Sequence, residues 1–201
     1  MKITVLGTGN VGRTLGTKWA AAGHDVTFGV RDVTAAKVHS ILAETTTKAA
    51  SIAESIAISD VIVLAIPGTA VPETVTTHAA ALNSKIIIDA TNKIREADMS
   101  SFPVFVQYTP QASLYRAFNS LGWEVFATPT FGDERADHFY CGDSGSAQET
   151  VHTLIADIGL RPIYIGGRDQ VAVIDNLVRL YFALAMGQGN GRHLGFKTLR
   201  D

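Results

Sequence analysis

Lys2-Ile3-Thr4-Val5-Leu6-Gly7-Thr8-Gly9-Asn10-Val11-Gly12 opens the chain with an apolar run that ends on the first of three glycines spaced Gly-x-Gly-x-x-Gly. Arg13 to Ala22 continues with helix-tolerant residues until Gly23 stops it, giving strand, turn and helix in the order a dinucleotide-binding fingerprint requires. Each glycine has its own task. Gly7 allows the tight turn, Gly9 lets the backbone approach a pyrophosphate, and Gly12 lets the helix pack closely on the strand; Gly16 leaves further room one turn on. The start of the helix carries partial positive charge, so the segment Gly7, Thr8, Gly9, Asn10, Val11 and Gly12 is expected to hold an anion through backbone amides.

After Gly23, Asp25 to Val30 reads as a second strand, with Val26, Phe28 and Val30 on one face and Thr27, Gly29 and Arg31 on the other. A dinucleotide's adenosine ribose lies where this strand ends. An acidic residue there selects NAD, whereas an arginine can grip the 2′-phosphate of NADP in a bidentate contact. The residue is Arg31, which favours NADP, with Val30 beside it and Lys37 a second phosphate candidate further along. Asp32 is expected to cap a helix over 33–44.

Ser51 and Glu54 form a capping-box pattern ahead of a short helix, and Asp60 to Ile66 follows as a nearly continuous apolar run. Such a run suits a central parallel strand buried on both faces. Lys85 to Ala90 repeats the pattern. Strands alternating with helices at this spacing predict an α/β fold, a Rossmann-type doubly wound and mostly parallel sheet, whose ligand lies beyond the carboxyl ends of the strands. Ala65, Ile66 and Pro67, together with Ala90 and Asn92, therefore fall beside a nicotinamide. Further along, Phe102 to Tyr108 reads as a short helix, Leu114 to Phe118, Phe139 to Gly142 and Pro162 to Ile165 as strands, and Ser146 with Glu149 as a second capping box. A final helix over about 170–186 is apolar on most of its circumference, so it is expected to be covered by the domain, a partner subunit or both. The whole chain, 1–201, is expected to form a single nucleotide-binding domain with 166–201 as a small C-terminal helical appendage.

The chain has 201 residues, 46% of them hydrophobic, with 17 Lys and Arg against 19 Asp and Glu. That balance offers no broad basic field for nucleic acid or an anionic membrane surface. The start of the chain lacks the features of a signal peptide, the apolar runs are short or interrupted by charge, and the single Cys141 excludes an internal disulfide; a cytoplasmic location is expected. The six histidines show no metal-binding spacing, so no metal is expected, and His138, in a loop over 133–138 that could approach a bound ligand, is expected to be a solvated loop residue instead. Gly142-Asp143-Ser144-Gly145 is similar to the nucleophile segment of trypsin-like proteases, yet it lies in an α/β pattern and is explained as a strand-to-helix turn.

Taken together, these residues resemble the family of small NADP-dependent oxidoreductases typified by the reductase that exchanges hydride with the deazaflavin coenzyme F420. The resemblance rests on the glycine turn with Gly16, on Gly29-Val30-Arg31, Asp89-Ala90-Thr91-Asn92 and Ala117-Phe118-Asn119-Ser120, on Cys141-Gly142-Asp143, and on Gly159-Leu160-Arg161-Pro162. The ending, Gly187-Gln188-Gly189-Asn190-Gly191 through Gly195-Phe196-Lys197, is similar as well. It implies NADP bound by Thr8, Gly9, Asn10, Val11, Val30 and Arg31, a second ring system near Pro67, Asn92 and the C-terminal helix, and a homodimer. Three positions depart from the family's pattern. Gly166-Gly167-Arg168 replaces Gly-Pro-Leu, Asn92-Lys93 replaces Asn-Pro, and Asn119 stands where deazaflavin users can carry a histidine. The expected reaction is hydride transfer between NADP(H) and a flavin-like acceptor, coenzyme F420 or FMN/FAD, with no side chain required as acid or base. The alternative is a non-catalytic NADP-binding sensor or interaction module. Hydroxyacid and pyrroline-type dehydrogenases usually have a larger helical C-terminal domain than this chain can supply.

Overall fold

The structure is a computed structural model, and residues 1–199 are described. The chain runs β1 (Lys2–Leu6), α1 (Asn10–Ala21), β2 (Asp25–Val30), α2 (Ala36–Glu44), β3 (Lys48–Ser51), α3 (Ile52–Ile58), β4 (Val61–Leu64), α4 (Val71–Leu82), β5 (Ile86–Asp89), α5 (Phe102–Tyr108) and β6 (Ser113–Arg116). Beyond these come α6 (Trp123–Ala127), the small hairpin β7 (Thr130–Phe131) and β8 (Glu134–Arg135), β9 (Asp137–Gly142), α7 (Ser146–Asp157), β10 (Arg161–Tyr164) and α8 (Val171–Phe182). One eight-stranded sheet has the order β10-β9-β6-β5-β4-β1-β2-β3. The six strands from β3 to β6 are parallel, β9 joins β6 antiparallel, and β10 runs parallel to β9. With helices on both faces, this is the mostly parallel Rossmann-like α/β fold.

The apolar patterns explain the two layers. All of β4 is buried, Val61 and Val63 facing one layer and Ile62 and Leu64 the other. The first layer gathers Trp19, Phe28, Phe118 and Phe126 under α1, α2, α6 and α7, and Trp19 Nε1 donates to Leu154 O at 2.9 Å. The second packs Leu6, Ile87 and Leu114 against Val75, Phe105 and Ile174 from α4, α5 and α8. Each such aliphatic or aromatic side chain stabilises the fold by roughly 1.5–3 kcal/mol. Cys141 belongs to this second layer, where burial pushes its thiol up to about 12, so it is inert as a nucleophile.

Local side-chain bonds decide where helices begin. The capping box at α3 forms, with Glu54 N donating to Ser51 Oγ at 3.3 Å and Ser51 N donating to Glu54 Oε2 at 3.1 Å. Helix α2 begins three residues later than the expected Val33. Asp32 Oδ1 instead accepts from Thr34 N at 2.8 Å and Thr34 Oγ1 at 2.6 Å, closing a turn of its own. The second expected capping box does not form. Gly145, at φ 105°, is the residue before α7, which makes Ser146 the first helical residue rather than the cap. After Phe182 the last helix widens into a π-type turn at Ala183–Gly187, and the chain then returns to pair Phe196 with Asp137. Although the apolar run from Arg168 to Gly187 has the length and hydropathy of a membrane span, Val171, Ile174, Val178 and Tyr181 pack inward on the domain.

Candidate functional site

The glycine turn follows β1, in the middle of the sheet. Gly7 has φ 108°, and a Cβ placed on it would stand 2.5 Å from Ala65 O. A Cβ on Gly12 would collide with Gly7 O, and one on Gly16 would lie 2.5 Å from the Phe28 ring. Those three glycines are thus required by the protein itself. Gly9 differs: it is exposed and a Cβ there would meet nothing within 4 Å, so the space above it is open to a ligand. Gly9 also caps α1 without a side-chain bond, and no acidic residue stands in the helix's first turn. The first amides of α1 are therefore free donors, and the turn fits a pyrophosphate.

On the ribose side, Val30 buries its side chain in the core, so only its backbone can face a nucleotide. Arg31 is exposed just past the strand, and Lys37 is exposed in the first turn of α2. Neither makes an ion pair among the described residues. Asp32, the acid nearest the ribose position, spends Oδ1 on Thr34.

On the nicotinamide side, Ala65, Ile66 and Pro67 leave β4, and Ala90 to Asn92 leave the neighbouring β5. This edge is held by Arg116, which sequence reasoning did not single out. The Arg116 side chain is fully buried; Nη1 donates to Asp89 Oδ2 at 3.0 Å and to Thr91 O at 2.5 Å. Its Nη2 donates to Asn92 Oδ1 at 2.9 Å and to Asp175 Oδ1 at 2.7 Å. One guanidinium therefore joins β5, the loop after it and α8. The Asn92 amide is largely occupied within the protein, since its Nδ2 also donates to Asn119 O at 3.0 Å. The only clue in the sequence was an arginine inside an otherwise apolar strand.

A cavity of about 430 Å³ opens beside this edge, lined among others by Pro72, Lys93, Met99, Val104, Asp175 and Arg179. A second, more open hollow of about 630 Å³ lies at the opposite, amino-terminal edge near Lys2, Asp25 and Lys85, away from where such sheets bind ligands. Arg168 now has a role too. Its Nε and Nη2 both approach Asp143 at 2.5 Å, which binds the start of α8 to the end of β9 and commits the protease-like segment to structure.

The expectation for His138 is overturned. It lies in β9, fully buried, stacked on Phe118 with ring centroids 4.9 Å apart. The segment before it looked like a polar loop, but Asp137 is neutralised by Arg161, at 2.5 and 2.7 Å, and can enter the sheet.

A doubly wound sheet with a bare phosphate turn and an exposed arginine past its second strand suits an NADP-dependent oxidoreductase, and the comparisons support that class. Residues 2–93 match the family described as NADP oxidoreductase, coenzyme F420-dependent, so the nucleotide-binding part of the chain is similar to that family. Over 100% of both chains it superposes on a candidate F420-dependent NADP reductase from Arthrobacter sp. FB24, with TM-score 0.86 and 26% identity. A hypothetical protein from Sinorhizobium meliloti matches with TM-score 0.72 and 21% identity, over 100% of this chain and 96% of that one. A reductive aminase from Aspergillus terreus, solved with NADPH, matches with TM-score 0.70 and 22% identity, over 94% of this chain and 63% of the aminase. These last two likenesses speak for the fold.

Proposed function

We propose that this enzyme transfers a hydride between NADP(H) and a planar, flavin-like acceptor, either coenzyme F420 or FMN/FAD. The observation that carries the reading is the cavity at the carboxyl edge of the sheet, next to the loop that Arg116 holds in place. The nicotinamide supplies the hydride, and the protein contributes binding, alignment and exclusion of water. Backbone amides from Gly9 to Gly12 bind the pyrophosphate, Arg31 with help from Lys37 binds the 2′-phosphate, and Ala65 to Pro67 with Ala90 to Asn92 form the floor beneath the ring. Arg179 at the cavity wall suits an acceptor with an anionic tail, Lys93 there is already paired with Glu96 at 2.9 Å, and Asp175, whose Oδ1 accepts from Arg116, can accept from a ring N–H through its other oxygen. Asn119 keeps both acceptors in the proposal, because its amide bonds to the protein rather than presenting an imidazole.

Two copies are proposed to associate through the outer side of α8 and the turn after it, where Val173, Leu180 and Met186 are exposed. A cytoplasmic setting suits a lone buried thiol. The test of the reaction mixes protein and NADPH with the deazaflavin, FMN or FAD in turn and follows NADPH absorbance. Enzyme-dependent loss with one acceptor identifies it; no loss with any of them refutes the proposal.

A further inference from the structure

The chain uses a strained residue to bring β6 to the nicotinamide edge. Phe118, just past β6, has φ 64° and is the only non-glycine with positive φ among the described residues. L side chains adopt this conformation at a cost, so neighbouring contacts must hold it. His138 supplies them. Its ring stacks on Phe118 with an interplanar angle of 18°, Phe126 meets it edge-on at 5.9 Å, and its Nε2 lies 2.6 Å from the Phe118 amide nitrogen. An amide N–H can only donate, so Nε2 accepts and the proton of the neutral ring sits on Nδ1. That Nδ1 is itself buried and, among the described residues, without a partner. The imidazole thus leaves one buried donor unsatisfied in order to make a single bond.

What that bond secures is the next residue. Asn119 Nδ2 donates to Asp89 O and Thr91 O, both at 3.1 Å, and Asn119 O accepts from Asn92 Nδ2 at 3.0 Å. If φ of Phe118 relaxed to a negative value, Asn119 would swing off this edge, and the Thr91 and Asn92 loop would lose two bonds and the end of β5 one. We propose that His138 is a positioning residue, a neutral acceptor that locks the left-handed Phe118 so that Asn119 holds the Thr91–Asn92 floor of the nicotinamide in place. This rests on the reading that the nicotinamide lies there. Burial favours the uncharged ring, whose pKa falls to about 3, and a charged ring would point an N–H at another N–H.

The test compares wild type with His138→Gln, which keeps an acceptor near the Nε2 position, and His138→Leu, which keeps bulk without one. NADPH is titrated into each, reading its affinity and the fluorescence of its bound nicotinamide, with kcat and KM for the active acceptor measured alongside. The expected result for His138→Leu is an NADPH affinity within about threefold of wild type, altered nicotinamide fluorescence and kcat about tenfold lower at similar KM, with His138→Gln restoring most of it. A His138→Leu protein that folds and keeps wild-type fluorescence and kcat overturns the proposal. Should that variant not fold, ¹⁵N spectra of wild-type histidines decide instead: His138 protonated on Nδ1 supports the proposal, and protonation on Nε2 overturns it. Wild-type protein that fails to bind NADPH sinks the underlying reading, and the proposal with it. NADPH binding without turnover of any acceptor removes only the proposed reaction, and the fluorescence arm still judges His138.

Discussion

Arg116 and Asp89 form an ion pair at 3.0 Å with both side chains sealed from solvent, at the edge of the sheet where the nucleotide's reactive end is proposed to lie. Breaking a buried pair from one side leaves a naked charge, which costs about 3–5 kcal/mol. Arg116→Met is therefore expected to lower the unfolding free energy by about that amount, because Asp89 would stay buried without its partner. Denaturant unfolding checks this, and a loss well under 1 kcal/mol would show that the pair does not hold this edge.

The glycines divide by what each one faces. Gly12→Ala drives a Cβ into Gly7 O and is expected to damage fold and binding together. Gly9→Ala has free space and an ordinary extended backbone, at φ -69° and ψ 179°. It should keep the wild-type melting temperature while weakening NADPH about tenfold or more, since the methyl occupies the phosphate's approach. Calorimetric titration with thermal melts separates the two; a Gly9→Ala protein that binds NADPH normally contradicts the phosphate turn.

Arg31 is exposed and free of ion pairs among the described residues, so its removal leaves no buried charge behind. A charge-assisted contact to phosphate contributes about 1.5–3 kcal/mol. Arg31→Ala should then weaken NADPH by roughly tenfold to a hundredfold and leave NADH almost unchanged. Equal losses for both nucleotides would remove Arg31 from the 2′-phosphate.

Acid should reveal His138. Burial lowers its pKa from 6.5 to about 3, so below 6.5 the unfolded chain takes up a proton that the folded chain refuses. Stability therefore declines as pH falls, with a slope of up to about 1.4 kcal/mol per pH unit. Between pH 6.5 and about 4.5 most carboxylates remain ionised, and the comparison with His138→Gln picks out the share that His138 contributes. His138→Gln should flatten the slope over that range in denaturant titrations; an unchanged slope assigns the acid sensitivity elsewhere.

The strand and helix order around β1 was legible because its signals are local: an apolar run, glycines at fixed spacing, a capping box at Ser51. Other features escaped because their causes are distant in sequence. Arg116 is buried through Asp89 and Asp175, which lie 27 and 59 residues away. His138 joins the core because Arg161 neutralises the neighbouring Asp137 and Phe118 covers its ring. Strand β3 passes unnoticed for another reason: Lys48-Ala49-Ala50-Ser51 has no apolar alternation and gains its place by pairing with β2 at the sheet's edge. At the candidate site, the glycine turn announced itself, whereas the bonds that shape the proposed nicotinamide floor depend on side chains brought together only by the fold.

Transfer of deuterium from NADPH labelled at nicotinamide C4 tests the central claim most directly. The deazaflavin takes hydride on carbon, so the label should appear there as a stable carbon–deuterium bond, in one stereochemical sense, as NADPH is consumed. With FMN or FAD as acceptor, the same labelling should slow NADPH oxidation. Label retained in the nucleotide with every acceptor, for NADPH labelled on each face of C4 in turn and binding normally, would contradict hydride transfer as this protein's reaction.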